Sequence, residues 1–191
     1  MSSTISCEVA PSHHAGIREH EFHSMVQLFA DRSLAEVLSE DISPVVEKYR
    51  RQGGGIIAAA WVANALSKAG FNYILEPEVR LNLGGSEKIL GPYDLAIVVE
   101  GKYLVLEIKL LKKRKKIYVE EIDEIYRSSY AKLVKKCGVY IGLLVVDISG
   151  ALASSETPDY IAVVRATGGW GDEEKVVREV MELARRLGLP A

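Results

Sequence analysis

Two runs of strand-forming residues on either side of Gly101 constrain the fold of this chain more than any other feature. Residues 94–99 and 102–111 are dominated by Leu, Ile and Val, which predicts a β-hairpin. The second run is apolar on both faces, as is typical of a central strand covered by helices. Besides Lys102 at the start of the second run, three charged residues interrupt the two runs, namely Asp94, Glu107 and Lys109. Because an unpaired charge is expensive to desolvate, we expect the three to lie together at a cleft.

The turn of the hairpin decides which of these residues face each other. A two-residue turn that starts at Glu100 places Asp94 opposite Glu107, whereas a turn that starts one residue later places it opposite Lys109. Glu107 and Lys109 share a face of their strand, since side chains alternate with period two. Either turn predicts all three groups on one face, and a three-residue turn without a bulge would direct Asp94 away. A buried Glu–Lys ion pair is the alternative interpretation.

The order of these residues resembles the PD-(D/E)xK nuclease superfamily, which includes restriction endonucleases, archaeal Holliday-junction resolvases and Mrr-like enzymes. Asp94 lies thirteen positions before Glu107, which begins the Glu-Ile-Lys triplet of the second strand. The resemblance covers about residues 56–147. It implies an α/β fold with a restriction-endonuclease-like αβββαβ core, in which helices flank a mixed central sheet.

The resemblance also implies Mg²⁺- or Mn²⁺-dependent hydrolysis of phosphodiester bonds by an endonuclease. Asp94, Glu107 and the carbonyl of Ile108 are then expected to bind the metal, while Lys109 assists the attacking water. Oxygen ligands suit these hard cations, and a bound cation can activate water and neutralise charge on a phosphate.

One acid of the superfamily pattern is missing from its usual place. Many members supply it from the helix before the first core strand, but the predicted helix over residues 56–69 contains no Asp or Glu. Glu47 is the expected substitute as a metal ligand, with Glu76 and Glu78 as alternatives. The gap also leaves open a catalytically inactive, nuclease-like subunit that binds nucleic acid.

A strongly basic segment follows the proposed catalytic lysine. Six of the eight residues from Lys109 to Lys116 are Lys or Arg, although the formal net charge of the chain is −2. Phosphate contacts come chiefly from such side chains. We therefore expect DNA, with RNA not excluded, to be bound by Lys112, Lys113, Arg114, Lys115 and Lys116. A solvated loop or a localisation signal is the alternative, as is a protein-interaction module that meets an acidic partner.

Composition and length bound the remaining possibilities. The chain has 191 residues, of which 48% are hydrophobic, and it has no apolar run near the roughly 20 residues that span a membrane. The two cysteines form neither a disulfide framework nor a zinc-binding spacing. We expect a cytoplasmic protein that does not associate with membranes. A homodimer is plausible, because cutting two strands favours two sites.

Local patterns predict an N-terminal arm and amphipathic helix over residues 1–42 and a nuclease-like α/β domain over residues 43–191. Within the arm, residues 1–20 are expected to be loosely ordered. The further expected elements are helices over 21–39, 44–52, 56–69 and 118–137, strands over 71–83, 140–146 and 160–165, and a last helix from Asp172 to Gly188.

Overall fold

The structure, a computed structural model, describes residues 4–13, 16–112, 129–150, 158–167, 169 and 171–190. Its strands are β1 (Ile5–Pro11), β2 (Tyr73–Leu75), β3 (Pro77–Leu83), β4 (Glu87–Leu90), β5 (Leu95–Val99), β6 (Lys102–Leu111), β7 (Val139–Asp147) and β8 (Ile161–Arg165). Its helices are α1 (Glu19–Leu28), α2 (Leu34–Ser39), α3 (Pro44–Arg51), α4 (Gly55–Lys68), α5 (Ser129–Lys135) and α6 (Glu173–Leu187).

The strands form two sheets. The larger sheet has the order β2-β5-β6-β7-β8; its first three strands are antiparallel neighbours, whereas β6, β7 and β8 run parallel. The smaller, antiparallel sheet has the order β1-β3-β4. The predicted α/β class, with a mixed central sheet flanked by helices, is confirmed.

The larger sheet is covered on both faces, which explains its continuously apolar strands. One face packs against a helical layer in which Ile57 and Trp61 of α4 are fully buried. The other face packs against the smaller sheet and α5, through Val79, Leu81 and Val134. Every residue of β7 is buried as a result.

Helix α4 lies against the larger sheet and is apolar nearly all round. Residues 57–66 are all buried, so this helix has no solvent-facing stripe. It begins at Gly55, after two glycines with positive φ, and its N-cap Gly54 supplies no side-chain cap. The predicted helix is therefore confirmed, with its N-terminus directed toward the end of α3.

The hairpin between β5 and β6 has the first of the two predicted turns. Leu95 pairs with Leu106 and Val99 with Lys102, so the two-residue turn consists of Glu100 and Gly101. Both turn residues have positive φ, at 49° and 74°, as a type I′ turn requires. This register places Asp94 opposite Glu107.

The N-terminal part of the chain differs from the expectation. Ile5–Pro11 are not loosely ordered but form β1, which pairs with β3 along its whole length. The predicted helix over 21–39 is two helices, because Ser33 caps α2 by accepting a hydrogen bond from the N–H of Glu36. Both differences arise from contacts that periodicity does not encode: distant strand pairing and a local cap.

The predicted strand over 71–83 is also divided. Its first part, β2, joins the larger sheet, and its second part, β3, joins the smaller one. Glu76 lies between them with φ at 45°, a left-handed conformation that few non-glycine residues adopt. Of the predicted helix over 118–137, residues 129–135 form α5, while residues 118–128 lie outside the described ranges.

The two cysteines meet in the folded chain, although their spacing predicted no disulfide framework. Cys7 on β1 and Cys137 between α5 and β7 are joined by a disulfide, with their Cα atoms 5.8 Å apart. The bond links the smaller sheet to the segment that leads into β7. Among the described residues, no helix is long and apolar enough to cross a membrane.

Candidate active site

The hairpin register directs the carboxylate of Asp94 toward β6. The N–H of Asp94 donates to the carbonyl of Leu106 at 3.0 Å, which extends the antiparallel pairing by one residue. The N–H of Ile108 donates to Oδ2 of Asp94 at 2.6 Å. Nζ of Lys109 lies 3.5 Å from Oε1 of Glu107. The structure therefore brings together the two acids and the amine that the sequence singled out.

These side chains open into a cleft of about 340 Å³ between the larger sheet and the junction of α3 with α4. Asp94 and Glu107 are half-buried, whereas the side chain of Lys109 is 46% exposed. The sheet contributes one wall and the glycine-rich junction the other. The lining consists of Tyr49, Gln52, Gly53, Gly55, Ile56, Asp94, Glu107, Ile108, Lys109 and Leu110.

The environment of Asp94 opposes its negative charge. Its pKa is raised to about 7, first by burial and then by the nearby carboxylate of Glu107. The N–H of Ile108 and the ammonium of Lys109 lower the pKa of Asp94, and the charge of Glu76 raises it. Near neutral pH this carboxyl therefore exists in both protonation states.

Glu107 experiences the same kind of environment. Burial raises the pKa of Glu107, while the charge of Lys109 and a hydrogen bond from it oppose the rise. The pKa of Tyr93 is raised to about 12, by its own burial and then by the charge of Glu107. The negative charge of the cleft is thus only partly compensated by the protein, which is where a cation binds favourably.

The two carboxylates fit a magnesium-type cation that keeps part of its water shell. Such an ion is usually held by one or two carboxylates together with substrate phosphates, rather than by a complete protein cage. Within the described ranges, His, Cys, Asp and Glu form no group of three that could hold a metal ion. Among the described residues, further ligands would therefore be carbonyl groups such as that of Ile108, with water or substrate completing the shell.

The expected replacement acid, Glu47, pairs with a residue of its own helix. It lies on α3 and accepts a hydrogen bond on Oε1 from Nη2 of Arg51 at 2.6 Å, and it is not among the described residues that line the cleft. Glu78 is buried and accepts a hydrogen bond from the hydroxyl of Ser12 at 2.6 Å. A role for Glu47 as a metal ligand stays a prediction.

Glu76 is a third acid that influences the cleft, since its charge raises the pKa of Asp94. Its own N–H donates to the carbonyl of Asp94 at 3.0 Å, and its Oε2 accepts a hydrogen bond from the N–H of Gly16 at 2.6 Å. The positive φ of Glu76 holds its side chain at this junction between the two sheets. The residue thus shapes the electrostatics of the cleft from outside its lining.

Tyr49 and Gln52 belong to the cleft but were not predicted from the sequence. The hydroxyl of Tyr49 donates to Oε2 of Glu21 at 2.7 Å, and burial raises the pKa of Tyr49 to about 12. This hydrogen bond ties α3 to α1 behind the cleft. The only sequence pattern near these residues is the run of three glycines that follows Gln52, which indicates an unusual backbone but not what faces it.

The basic segment begins at the same edge of the sheet. Lys112 is exposed, and its Nζ lies only 2.9 Å from where a Cβ on Gly54 would be. The absence of a side chain at Gly54 therefore lets the lysine approach the N-terminus of α4. Lys113, Arg114, Lys115 and Lys116 lie outside the described residues, so their contact with nucleic acid stays a prediction.

No protein-family model and no curated protein matches this sequence. The solved structures that share part of its arrangement of strands and helices include the following two. VC1899 from Vibrio cholerae is 15% identical with a TM-score of 0.35, and the match covers 91% of this chain and 38% of that one.

The second is Can2 from Sulfobacillus thermosulfidooxidans, solved in complex with cyclic tetra-adenylate. It is 12% identical with a TM-score of 0.41, and the match covers 90% of this chain and 47% of that one. The chain thus spans less than half the length of either structure. Similarities of this size assign no activity to it.

Proposed function

We propose that this protein is a divalent-metal-dependent endonuclease that hydrolyses phosphodiester bonds of DNA. The observation that carries the proposal is the convergence of Asp94, Glu107 and Lys109 in one cleft, beside or within largely apolar strands. Such a group is costly to assemble in a sheet unless its charges serve a ligand. The resemblance to the PD-(D/E)xK superfamily implies the same chemistry.

Each of these residues has a distinct role in the proposed reaction. Asp94 and Glu107 hold Mg²⁺ or Mn²⁺, with the carbonyl of Ile108 as a further ligand. When bound, the cation polarises the scissile phosphate and lowers the pKa of a water molecule. The N–H of Ile108 fixes the orientation of Asp94 by donating to Oδ2. Lys109, held near Glu107, orients the attacking water or stabilises charge on the phosphate.

The proposed substrate contacts lie beside these groups. Lys112 would neutralise phosphate at the edge of the cleft, and the basic residues up to Lys116 would extend that contact. The same site does not exclude RNA as a substrate. The proposal also includes a homodimer, which would carry two such sites. Sedimentation at several protein concentrations tests the dimer.

The central experiment incubates the purified protein with supercoiled, linear and branched DNA in the presence of Mg²⁺ or Mn²⁺. We expect cleavage that EDTA abolishes. Asp94→Asn, Glu107→Gln and Lys109→Met should each lower the rate at least about a hundredfold, because each removes a group that acts in the transition state.

Glu87→Gln is the matched control, since Glu87 is an exposed acid on β4 of the smaller sheet. It should cleave at the wild-type rate. Failure of every DNA substrate to be cut, or cleavage that the three variants leave intact, would reject the nuclease proposal.

A second function is favoured by one observation, the lack of a third acidic ligand within the described residues. A catalytically inactive, nuclease-like subunit would bind nucleic acid through its basic groups without turnover. Binding that survives EDTA, depends strongly on salt and is never followed by cleavage would identify this function. Binding of Mn²⁺ that Asp94→Asn removes would instead favour the enzyme.

A further inference from the structure

We infer that the lysines around α5 form a second nucleic-acid contact surface, at the opposite end of β6 from the cleft. This α5 lysine surface consists of Lys88, Lys102, Lys132, Lys135 and Lys136. That the partner is a nucleic acid rests on the proposed function. The surface itself is argued from residues outside the cleft.

Two of these lysines converge on one aromatic ring. Nζ of Lys102 lies 5.8 Å from the centre of the Tyr140 ring, and Nζ of Lys135 lies 6.0 Å from it. The Cγ atom of Lys102 is also 3.7 Å from where a Cβ on Gly138 would be, so the lysine packs across the segment between α5 and β7. The tyrosine holds two cations near each other by cation–π attraction.

The other lysines extend this charge along α5. Lys132 and Lys135 are three residues apart on the helix, Lys136 follows directly, and all three are exposed. On the neighbouring strand β4, Nζ of Lys88 lies 5.3 Å from the centre of the Tyr130 ring. Lysines therefore lie along α5 and beside it on β4 and at the start of β6.

Within the described residues, these five cations lack the carboxylate partners that several other charged residues have. In the part of the chain that the structure describes, no ion pair between a carboxylate and any of the five lysines is found, whereas Lys109, Lys175, Arg51 and Arg185 each have one. Grouped like charges repel one another. A polyanion would remove that repulsion and release counterions on binding.

The position of the surface favours a nucleic-acid backbone as that polyanion. Helix α5 packs on the face of the larger sheet that carries Glu107, since Val134 shares a cluster with Val105 on that face. Lys102 begins β6 at the other end of the strand from Lys109, roughly 23 Å away at the usual strand rise, and because the two residues are an odd number apart its side chain projects from the opposite face of the sheet. The lysines of α5 are therefore the members of the surface that lie on the Glu107 face. The partly exposed ring of Tyr130 also suits single-stranded segments, which stack on aromatic groups.

The test measures binding of a fluorescein-labelled 30-base-pair duplex and a 30-nucleotide single strand by anisotropy, in EDTA and over 50–300 mM salt. The double variant Lys102→Gln/Lys135→Gln should bind about tenfold more weakly at 100 mM salt. The slope of the logarithm of the association constant against the logarithm of the salt concentration should become shallower by about one to two, because one or two phosphate contacts are lost.

Two controls separate charge from fold. Lys102→Arg/Lys135→Arg keeps both charges and should bind as the wild type does. Lys68→Gln/Arg178→Gln removes two charges elsewhere on the surface and should leave the slope unchanged. Thermal melts should show that all variants are folded.

The outcomes of this experiment and of the cleavage assay are distinguishable. If the glutamine variant binds DNA with the wild-type slope while Mg²⁺-dependent cleavage is seen, the surface is rejected and the nuclease stands. If binding depends on the surface but no cleavage occurs, the surface stands and the nuclease is rejected. If the wild type binds neither DNA probe at 50 mM salt, or binds phosphatidylserine vesicles or polyglutamate through these lysines instead, the nucleic-acid surface is overturned.

Discussion

Asp94 is the residue on which the site depends most, because its backbone and its carboxylate both bind β6. Its N–H continues the hairpin pairing, and its Oδ2 accepts a hydrogen bond from the N–H of Ile108. A half-buried carboxylate with another acid opposite it destabilises the fold whenever both are ionised. Retaining such an arrangement suggests that a bound ligand offsets the cost.

The substitution Asp94→Asn is therefore expected to stabilise the metal-free protein at pH 8. Asparagine can still accept the hydrogen bond from Ile108 but carries no charge. The pKa of Asp94 in the folded protein, about 7, lies above its value in the unfolded chain. The stabilisation that the protonated carboxyl provides is therefore complete below the unfolded pKa, and it is lost as the pH rises through 7. We expect a gain of about 1–3 kcal/mol at pH 8 in EDTA, measured by urea unfolding.

The same comparison at pH 4 is the control for this substitution. The carboxyl of folded wild-type protein is then protonated, so the two proteins should differ by less than about 0.5 kcal/mol. An asparagine variant that is less stable than the wild type at pH 8 would contradict the described environment of Asp94.

Cation binding at this site should become stronger as the pH rises, whereas the stabilisation from protonated Asp94 is lost. A metal ion requires the ionised form of Asp94, whose pKa is about 7. We expect affinity for Mn²⁺, measured by titration calorimetry, to rise about tenfold between pH 6 and pH 8. Equal affinity at the two pH values would argue against Asp94 as a ligand.

At the scale of elements, the glycine-rich junction of α3 and α4 forms one wall of the cleft without contributing a charged side chain. Gly53 and Gly54 both have positive φ, at 99° and 79°. Only Gly54 also has close neighbours, since a Cβ there would lie 2.9 Å from Nζ of Lys112 and 3.1 Å from a methyl group of Leu38. The junction thus lets Lys112 approach α4.

Gly53→Ala and Gly54→Ala form a matched pair that isolates this contact. Both should lose about 1 kcal/mol of stability, because alanine is strained at positive φ. Gly54→Ala should additionally displace Lys112 and so weaken DNA binding, whereas Gly53→Ala should not. Equal DNA affinities for the two variants, measured by anisotropy, would show that the position of Lys112 has no effect on binding.

For the whole molecule, the disulfide between Cys7 and Cys137 joins parts of the chain that are 130 residues apart in sequence. Closing so long a loop restricts the unfolded chain, and by the loop-entropy relation it is worth up to roughly 5 kcal/mol. We expect dithiothreitol to lower the thermal midpoint of the oxidised protein, by up to about 10–20 °C.

Cys7→Ser is the control for this effect, because it removes the bond while keeping a side chain of similar size. Its thermal midpoint should match that of the reduced wild type and should not respond to dithiothreitol. A wild-type midpoint that is the same with and without reductant would mean that the bond does not stabilise the fold.

Much of the central sheet could be predicted from local sequence. A two-residue turn at Gly101, in one of two registers, and the alternation along β6 each depend on a few neighbouring residues. The existence of a hairpin with Glu107 and Lys109 on one face follows from such patterns alone. By contrast, β1 was missed because its partner β3 lies about 70 residues away, and pairing at that distance leaves no local pattern.

The sequence alone singled out Asp94, Glu107 and Lys109 as the candidate site, since a charged residue in an apolar strand is recognisable without coordinates. Tertiary structure alone decided what surrounds them. Tyr49 reaches the cleft, Glu76 acts on Asp94 and Cys7 meets Cys137 only because distant segments pack together. The alternation of side chains along a strand and the residues of a turn are encoded within a few consecutive residues. These contacts instead depend on how whole elements bury their apolar faces against one another.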